Sequence, residues 1–119
     1  MIILNTTTSV LQAVLAGAIT TSQPEAVVAF RDVNPNGEET KYSTQRTALN
    51  SGTDVTICDA PVQGFVRYVD TITVYNKDTV NAVVTVKIDV SGTEYILVKN
   101  TLATTKTLGY EHSTGWFTI

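Results

Sequence analysis

His112 is the only histidine in the chain, and a serine–histidine–aspartate triad would have to use it. It sits in Glu111-His-Ser-Thr-Gly115, a polar stretch that reads as a turn on the surface. Cys58 is the only cysteine, so no internal disulfide can form. No basic residue adjoins it to stabilise a thiolate, and it reads as a small buried hydrophobe. One histidine and one cysteine cannot supply the three or four ligands of a zinc site. Asp32, Asn34, Asn36 and Glu38 alternate as ligands of a calcium loop would. Pro35 and Gly37 already account for that segment as a turn, and the distal bidentate glutamate is missing. There is no glycine-rich phosphate loop, and nothing favours a pair of glycosidase carboxylates. The expectation is a protein that is not an enzyme and uses no cofactor. The aromatic residues remain. Tyr42 lies in a polar region and reads as an exposed contact, suited to another subunit or a host-surface glycan. Tyr110 and Trp116 read as core or intersubunit residues.

The elements that carry these residues read as β-strands. Thr (21), Val (16) and Ile (8) dominate, and β-branched side chains fit a pleated surface better than a helix. Charged residues make up 16%, below the usual quarter, so part of the surface is Thr, Ser and Asn or is covered by a subunit. The net charge is −3 and the cations are scattered singly, which argues against nucleic-acid binding. No apolar run approaches the roughly 18 residues of a membrane span, and Met1 to Leu4 is too short for the core of a secretory signal.

At 119 residues the chain reads as one domain, 1–119. The pattern predicts strands over Ser9 to Ala16, Glu25 to Val33 and Thr53 to Cys58; for Ser9 to Ala16 the alternative is a helix with Val10, Leu11 and Val14 on one face. From Val66 onward it predicts one continuous meander to Trp116. In the first meander strand, Tyr68, Asp70, Ile72 and Val74 share one face, and Val69, Thr71, Thr73 and Tyr75 share the other. Asn76 to Thr79 makes the first reversal, Ala82 to Val90 alternates at period two, and Ser91-Gly92 is a tight hairpin. Asn34-Pro-Asn-Gly37 is a turn, and residues 38–52 are polar and aperiodic, read as a long surface loop. About seven to eight strands at roughly ten-residue spacing predict an all-β, antiparallel β-sandwich, jelly-roll-like.

Two blocks of residues resemble small β-sandwich structural proteins of tailed bacteriophages. One comprises Leu4 to Thr8, Leu11-Gln12, Val14-Leu15, Gly17-Ala18 and Thr20-Thr21. The other comprises Ile72, Val74 to Asn76, Val84 to Val86, Val98, Thr101-Leu102, Thr107-Leu108, Tyr110 and Gly115-Trp116. Region 34–60 is unmatched. The resemblance implies a virion component, commonly trimeric. One such role is a cement (decoration) protein bound to the major capsid protein on the outer capsid surface, which it stabilises. The other is a tail, neck or fibre component. It transfers no site residues. The N-terminal segment 1–22 and the loop 34–52 are the expected contact regions, with Leu4, Val10, Leu11, Tyr42 and Arg46 as the expected interface contacts.

Overall fold

A computed structural model describes residues 1–119 as ten β-strands with no helix. They are β1 (Ile2–Leu4), β2 (Ser9–Leu15), β3 (Glu25–Val33), β4 (Glu39–Ala48) and β5 (Val55–Cys58), followed by β6 (Val66–Tyr75), β7 (Ala82–Val90), β8 (Thr93–Leu102), β9 (Thr107–Glu111) and β10 (Gly115–Thr118). All pairings are antiparallel. One sheet has six strands, in the order β10-β9-β6-β3-β4 with β1 also on β6; the other has four, in the order β5-β2-β7-β8. Residues of both sheets form one core cluster, so the arrangement is sandwich-like. Leu11, Ala13, Val84 and Val86 of one sheet and Val28, Ile72 and Val74 of the other belong to it.

The count exceeds the expected seven to eight because β1 and β4 carry weak strand signals. β1 has only three residues. β4 occupies most of the region read as a loop, 34–52. It lies at a sheet edge, exposed on one face, with only half-buried Ser43, Gln45 and Thr47 on the other. A period-two hydrophobic signal requires one face in the core, and β4 does not have one. The turn before it is as expected. Gly37 has φ +83°, and the Asn34 side-chain carbonyl accepts the amides of Asn36 and Glu38 at 2.9 and 3.0 Å.

The meander is not continuous. β6 belongs to the six-stranded sheet and β7 to the other, so Asn76 to Thr79 is a crossing between layers rather than a hairpin. The β7–β8 hairpin is as expected. Ser91 and Gly92 have φ +52° and +88°, the left-handed pair that a two-residue turn between twisted strands requires. Within β6, a register shift opposite Ala29 and Phe30 leaves Asp70 as an extra residue. The bulge reverses the facing of everything before it. Val69 and Arg67 point inward with Ile72 and Val74, and Asp70 is released from the core, against the single-phase expectation.

The N-terminal segment is built into this framework. β1 pairs with Arg67 to Val69, and β2 lies between β5 and β7. Leu4 and Leu11 are fully buried, so neither can meet a partner. In β2 every second residue, Ser9, Leu11, Ala13 and Leu15, is buried, which is strand and not helix periodicity. Val10 is half-buried and faces outward from the four-stranded sheet.

The crossing after β6 is tied to the connection between β2 and β3. The carboxylate of Asp78 accepts the backbone amides of Thr20 and Thr21, both at 2.8 Å, and of Ser22 at 3.2 Å. The Thr20 amide is the largest influence on its pKa. Burial opposes it, the amides of Thr21, Thr79 and Ser22 add to it, and the pKa falls from 3.8 to about 2. The folded value lies below the unfolded one. The stabilisation is therefore complete above 3.8 and is lost as pH falls through about 2. The gap in urea midpoint between the native chain and Asp78→Asn should be widest above that window and should shrink as pH falls across it. A gap that does not change with pH would refute the linkage.

Candidate binding surface

The outer face of the six-stranded sheet places Tyr42 and Arg46 together. Both lie on the exposed side of β4, separated along the strand by Thr44, so about 13 Å apart at the rise of an extended chain. Cross-strand register continues this face over the sheet. One row runs Arg46, Val27, Thr73, Gly109 and Phe117; the next runs Thr44, Ala29, Thr71 and Glu111. Most of these side chains are short, so the face is low in relief. At Gly109 a Cβ would stand 2.4 Å from the Phe117 ring, so the absence of a side chain lets that ring lie across β9.

At one end of the face the side chains form a polar chain of contacts. The Arg31 guanidinium donates from Nη1 to Glu39 Oε1 and from Nε to Asp70 Oδ1, the latter at 3.2 Å. It also lies 5.0 Å from the centre of the Tyr68 ring. The Tyr42 hydroxyl donates to the other Glu39 oxygen. His112 donates its backbone amide to the Asp70 carbonyl at 3.1 Å, and its ring Nδ1 stands 3.9 Å from Asp70 Oδ1. The titrations follow from these bonds. The Tyr42 hydroxyl, then Arg31, lowers the Glu39 pKa. The hydrogen bond to Glu39 raises that of Tyr42. The bonds to Glu39 and then Asp70 raise that of Arg31. The cluster holds an ionised carboxylate and a protonated phenol, which is an arrangement for hydrogen bonding rather than for activating a nucleophile.

A shallow groove opens beside this cluster. It is lined by Ala29, Phe30, Tyr42, Ser43, Thr44 and Asp70 and has a volume of about 470 Å³. The Tyr42 side of it is highly accessible, with the residue 69% exposed. Asp70 Oδ2 and the Thr44 hydroxyl make no hydrogen bond within the chain and are free to meet a ligand.

The other residues singled out by sequence lie elsewhere. Cys58 is buried, and burial, opposed by nearby Arg67, pushes its pKa up to about 11, so the thiol is inert. The calcium-like quartet does not converge. Asp32 points inward to Arg67, while Asn34 caps its own turn and donates to Glu38. Tyr110 and Trp116 meet on the inner side as a tilted pair, with ring centres 5.1 Å apart and the planes at 49°. Sequence reasoning missed Arg31, Glu39, Tyr68 and Asp70 as parts of a site. For Asp70 the reason is the bulge, since the unbroken alternation places it with Ile72 and Val74.

No protein-family model, no curated protein and no solved structure matches this chain.

The second surface is the edge of the four-stranded sheet. β8 is ten residues long and pairs only with β7. Tyr95 and Ile96 on it are 56% and 67% exposed. A register shift between Val86 and Lys87 sets Leu97 against the core beside Val98. Behind this edge, Lys87 is buried between two carboxylates, 2.8 Å from Asp54 and 2.7 Å from Glu94. Burial works against its charge, but the bonds to Asp54 and Glu94 outweigh that and raise its pKa.

Proposed function

We propose that the protein is a non-enzymatic structural component of a bacteriophage virion. In this reading it is a decoration protein that assembles as a homotrimer, binds the major capsid protein on the outer capsid surface and stabilises the shell. The jelly-roll-like wiring belongs to the same reading and is supported by the repeated passage of the chain between two sheets.

The observation that carries the proposal is the β8 edge. A long strand with one free edge and adjacent exposed tyrosine and isoleucine is a template for pairing with another chain. Natural sheets protect such edges, and contact with a second copy or with the capsid does so here. A standard interface takes roughly 800 Å² from each partner. The chain exposes 6104 Å², so a subunit contact and a capsid contact both fit on it. Of the contacts expected from sequence, Val10 lies on the sheet that carries this edge, and Tyr42 and Arg46 lie on the opposite one.

Two measurements test the reading. Mass spectrometry of purified particles should find the chain in numbers comparable to the capsomers. A handful of copies would instead place it in the tail, neck or fibre. Ile96→Glu should dissociate the trimer without unfolding the subunit, as read by light scattering and circular dichroism. A native chain that is monomeric and absent from particles would overturn the proposal.

A further inference from the structure

We propose that the groove between Tyr42 and Asp70 is a carbohydrate-binding site that takes a neutral pyranose on the Tyr42 ring. The inference stands independently of the virion reading, because it uses a different sheet and a different set of residues.

Three features carry it. The first is a fixed aromatic platform. An exposed tyrosine on an edge strand ordinarily samples several rotamers, and ordering it on binding opposes affinity. Here the Tyr42 hydroxyl is held by Glu39, Glu39 by Arg31, and Arg31 by Asp70. Arg31 is further steadied over the Tyr68 ring at 5.0 Å. The chain of contacts holds the Tyr42 ring in place before any ligand arrives, while the residue stays 69% exposed. Stacking against such a ring suits a ligand with an apolar face and a polar rim. The C–H face of a pyranose has that form.

The second feature is what surrounds the ring. The floor is Ala29 and the rim is Thr44 and Asp70, so the groove has room at its centre and hydrogen-bonding groups at its edge. Asp70 Oδ1 is taken by Arg31 while Oδ2 is free, and a carboxylate oxygen accepts strongly from sugar hydroxyls. The Thr44 hydroxyl can donate or accept.

The third feature is the sign of the charge. Asp70 borders the groove, Glu39 lies behind it on the Tyr42 hydroxyl, and the nearby cation, Arg31, is engaged by both. An acidic sugar on the Tyr42 ring would approach these carboxylates, while the unpaired cation of this face, Arg46, stands about 13 Å away along β4. The net charge of −3 opposes it further. The site therefore selects neutral sugars.

The test is a titration of ¹⁵N-labelled protein followed by NMR. The probes are the methyl glycosides of glucose, galactose and mannose, N-acetylglucosamine, and sialyllactose as the acidic comparison. At least one neutral sugar should shift the amides of Ala29, Thr44 and Asp70 and saturate with a Kd on the order of 1 mM. Tyr42→Ala should weaken that binding by about tenfold or more. Tyr42→Phe keeps the ring but loses its charge-assisted bond to Glu39 and should weaken binding less than Tyr42→Ala does. Tyr75→Ala, an exposed tyrosine opposite Glu25 at the far end of the same sheet, should leave binding unchanged. The proposal is overturned if none of the neutral sugars shifts these amides at about 50 mM, well above millimolar affinity. It is equally overturned if sialyllactose alone binds, or if Tyr42→Ala binds as the native chain does.

Discussion

Arg67→Met is expected to destabilise the fold by about 3–5 kcal/mol, the usual effect of removing one member of a buried ion pair. Arg67 and Asp32 face each other across β6 and β3, both on the inner side and both less than a tenth exposed. The pairing is bidentate, with Nε to Oδ1 at 2.7 Å and Nη2 to Oδ2 at 2.9 Å. Nη1 donates to the Asp59 carbonyl at 2.8 Å, and the guanidinium lies 3.9 Å from the centre of the Phe30 ring. Burial works against the Arg67 charge. The hydrogen bonds and the charge of Asp32 outweigh it, and its pKa is raised. Methionine fills the space but leaves the Asp32 carboxylate buried without a counter-charge and the Asp59 carbonyl without its donor. Replacing both partners removes that penalty. Asp32→Leu combined with Arg67→Met should recover most of the loss. Guanidinium unfolding midpoints of the two single variants and the double variant measure this directly. A single variant within about 1 kcal/mol of the native chain would show that the pair contributes no more than an exposed one.

Asn76→Ala should cost about 3 kcal/mol, from three hydrogen bonds lost in one place. The side chain is fully buried at the crossing between the sheets. Its amide donates to the carbonyls of Val80 and Leu102, each at 2.9 Å, and its oxygen accepts the Asp78 amide at 3.0 Å. Its backbone is held as well, donating to Lys106 and accepting from Thr105. One residue thus joins the end of β6, the crossing, the end of β8 and the β8–β9 turn. Alanine leaves two carbonyls and one amide without these partners, and an unsatisfied buried group costs about 1–3 kcal/mol. Local water offsets part of that, because the crossing lies at the end of the layers. Two readouts check the expectation: the urea midpoint, and hydrogen exchange at Asp78 and Thr105. Faster exchange confined to these segments would confirm the local role. Unchanged exchange with an unchanged midpoint would refute it.

Parts of the fold follow from local pattern. Alternation in Ala82 to Val90 marked a half-buried strand, and in Ser9 to Ala16 the flanking threonines, Gly17 and the internal valines favoured a strand over a helix; both are strands, with Leu11, Val84 and Val86 in the core. Ser91-Gly92 and Asn34 to Gly37 marked turns because their backbone demands are local. The candidate site was legible only at Tyr42 and Arg46, whose polar surroundings implied exposure. Their placement in a loop was wrong, because an edge strand without a core-facing apolar row has no period to read. Leu4 and Leu11 were assigned to contacts for the opposite reason. They are apolar in a segment that reads as an arm, and only its pairing with β6 and β7 shows that the arm is built into the sheets.

The sequence by itself determined the all-β class, the main turns and the absence of a histidine or cysteine constellation, since these depend on residue type and near-neighbour spacing. The tertiary structure decided the rest. It split the expected meander between two sheets and buried Arg67 against Asp32 from 35 positions away. It also placed one bulge that turns Asp70 away from the core and toward Arg31 and Tyr42. The physical reason is that strand facing has a period of two, so a single extra residue reverses it, and the position of that residue is set by partner strands rather than by local composition.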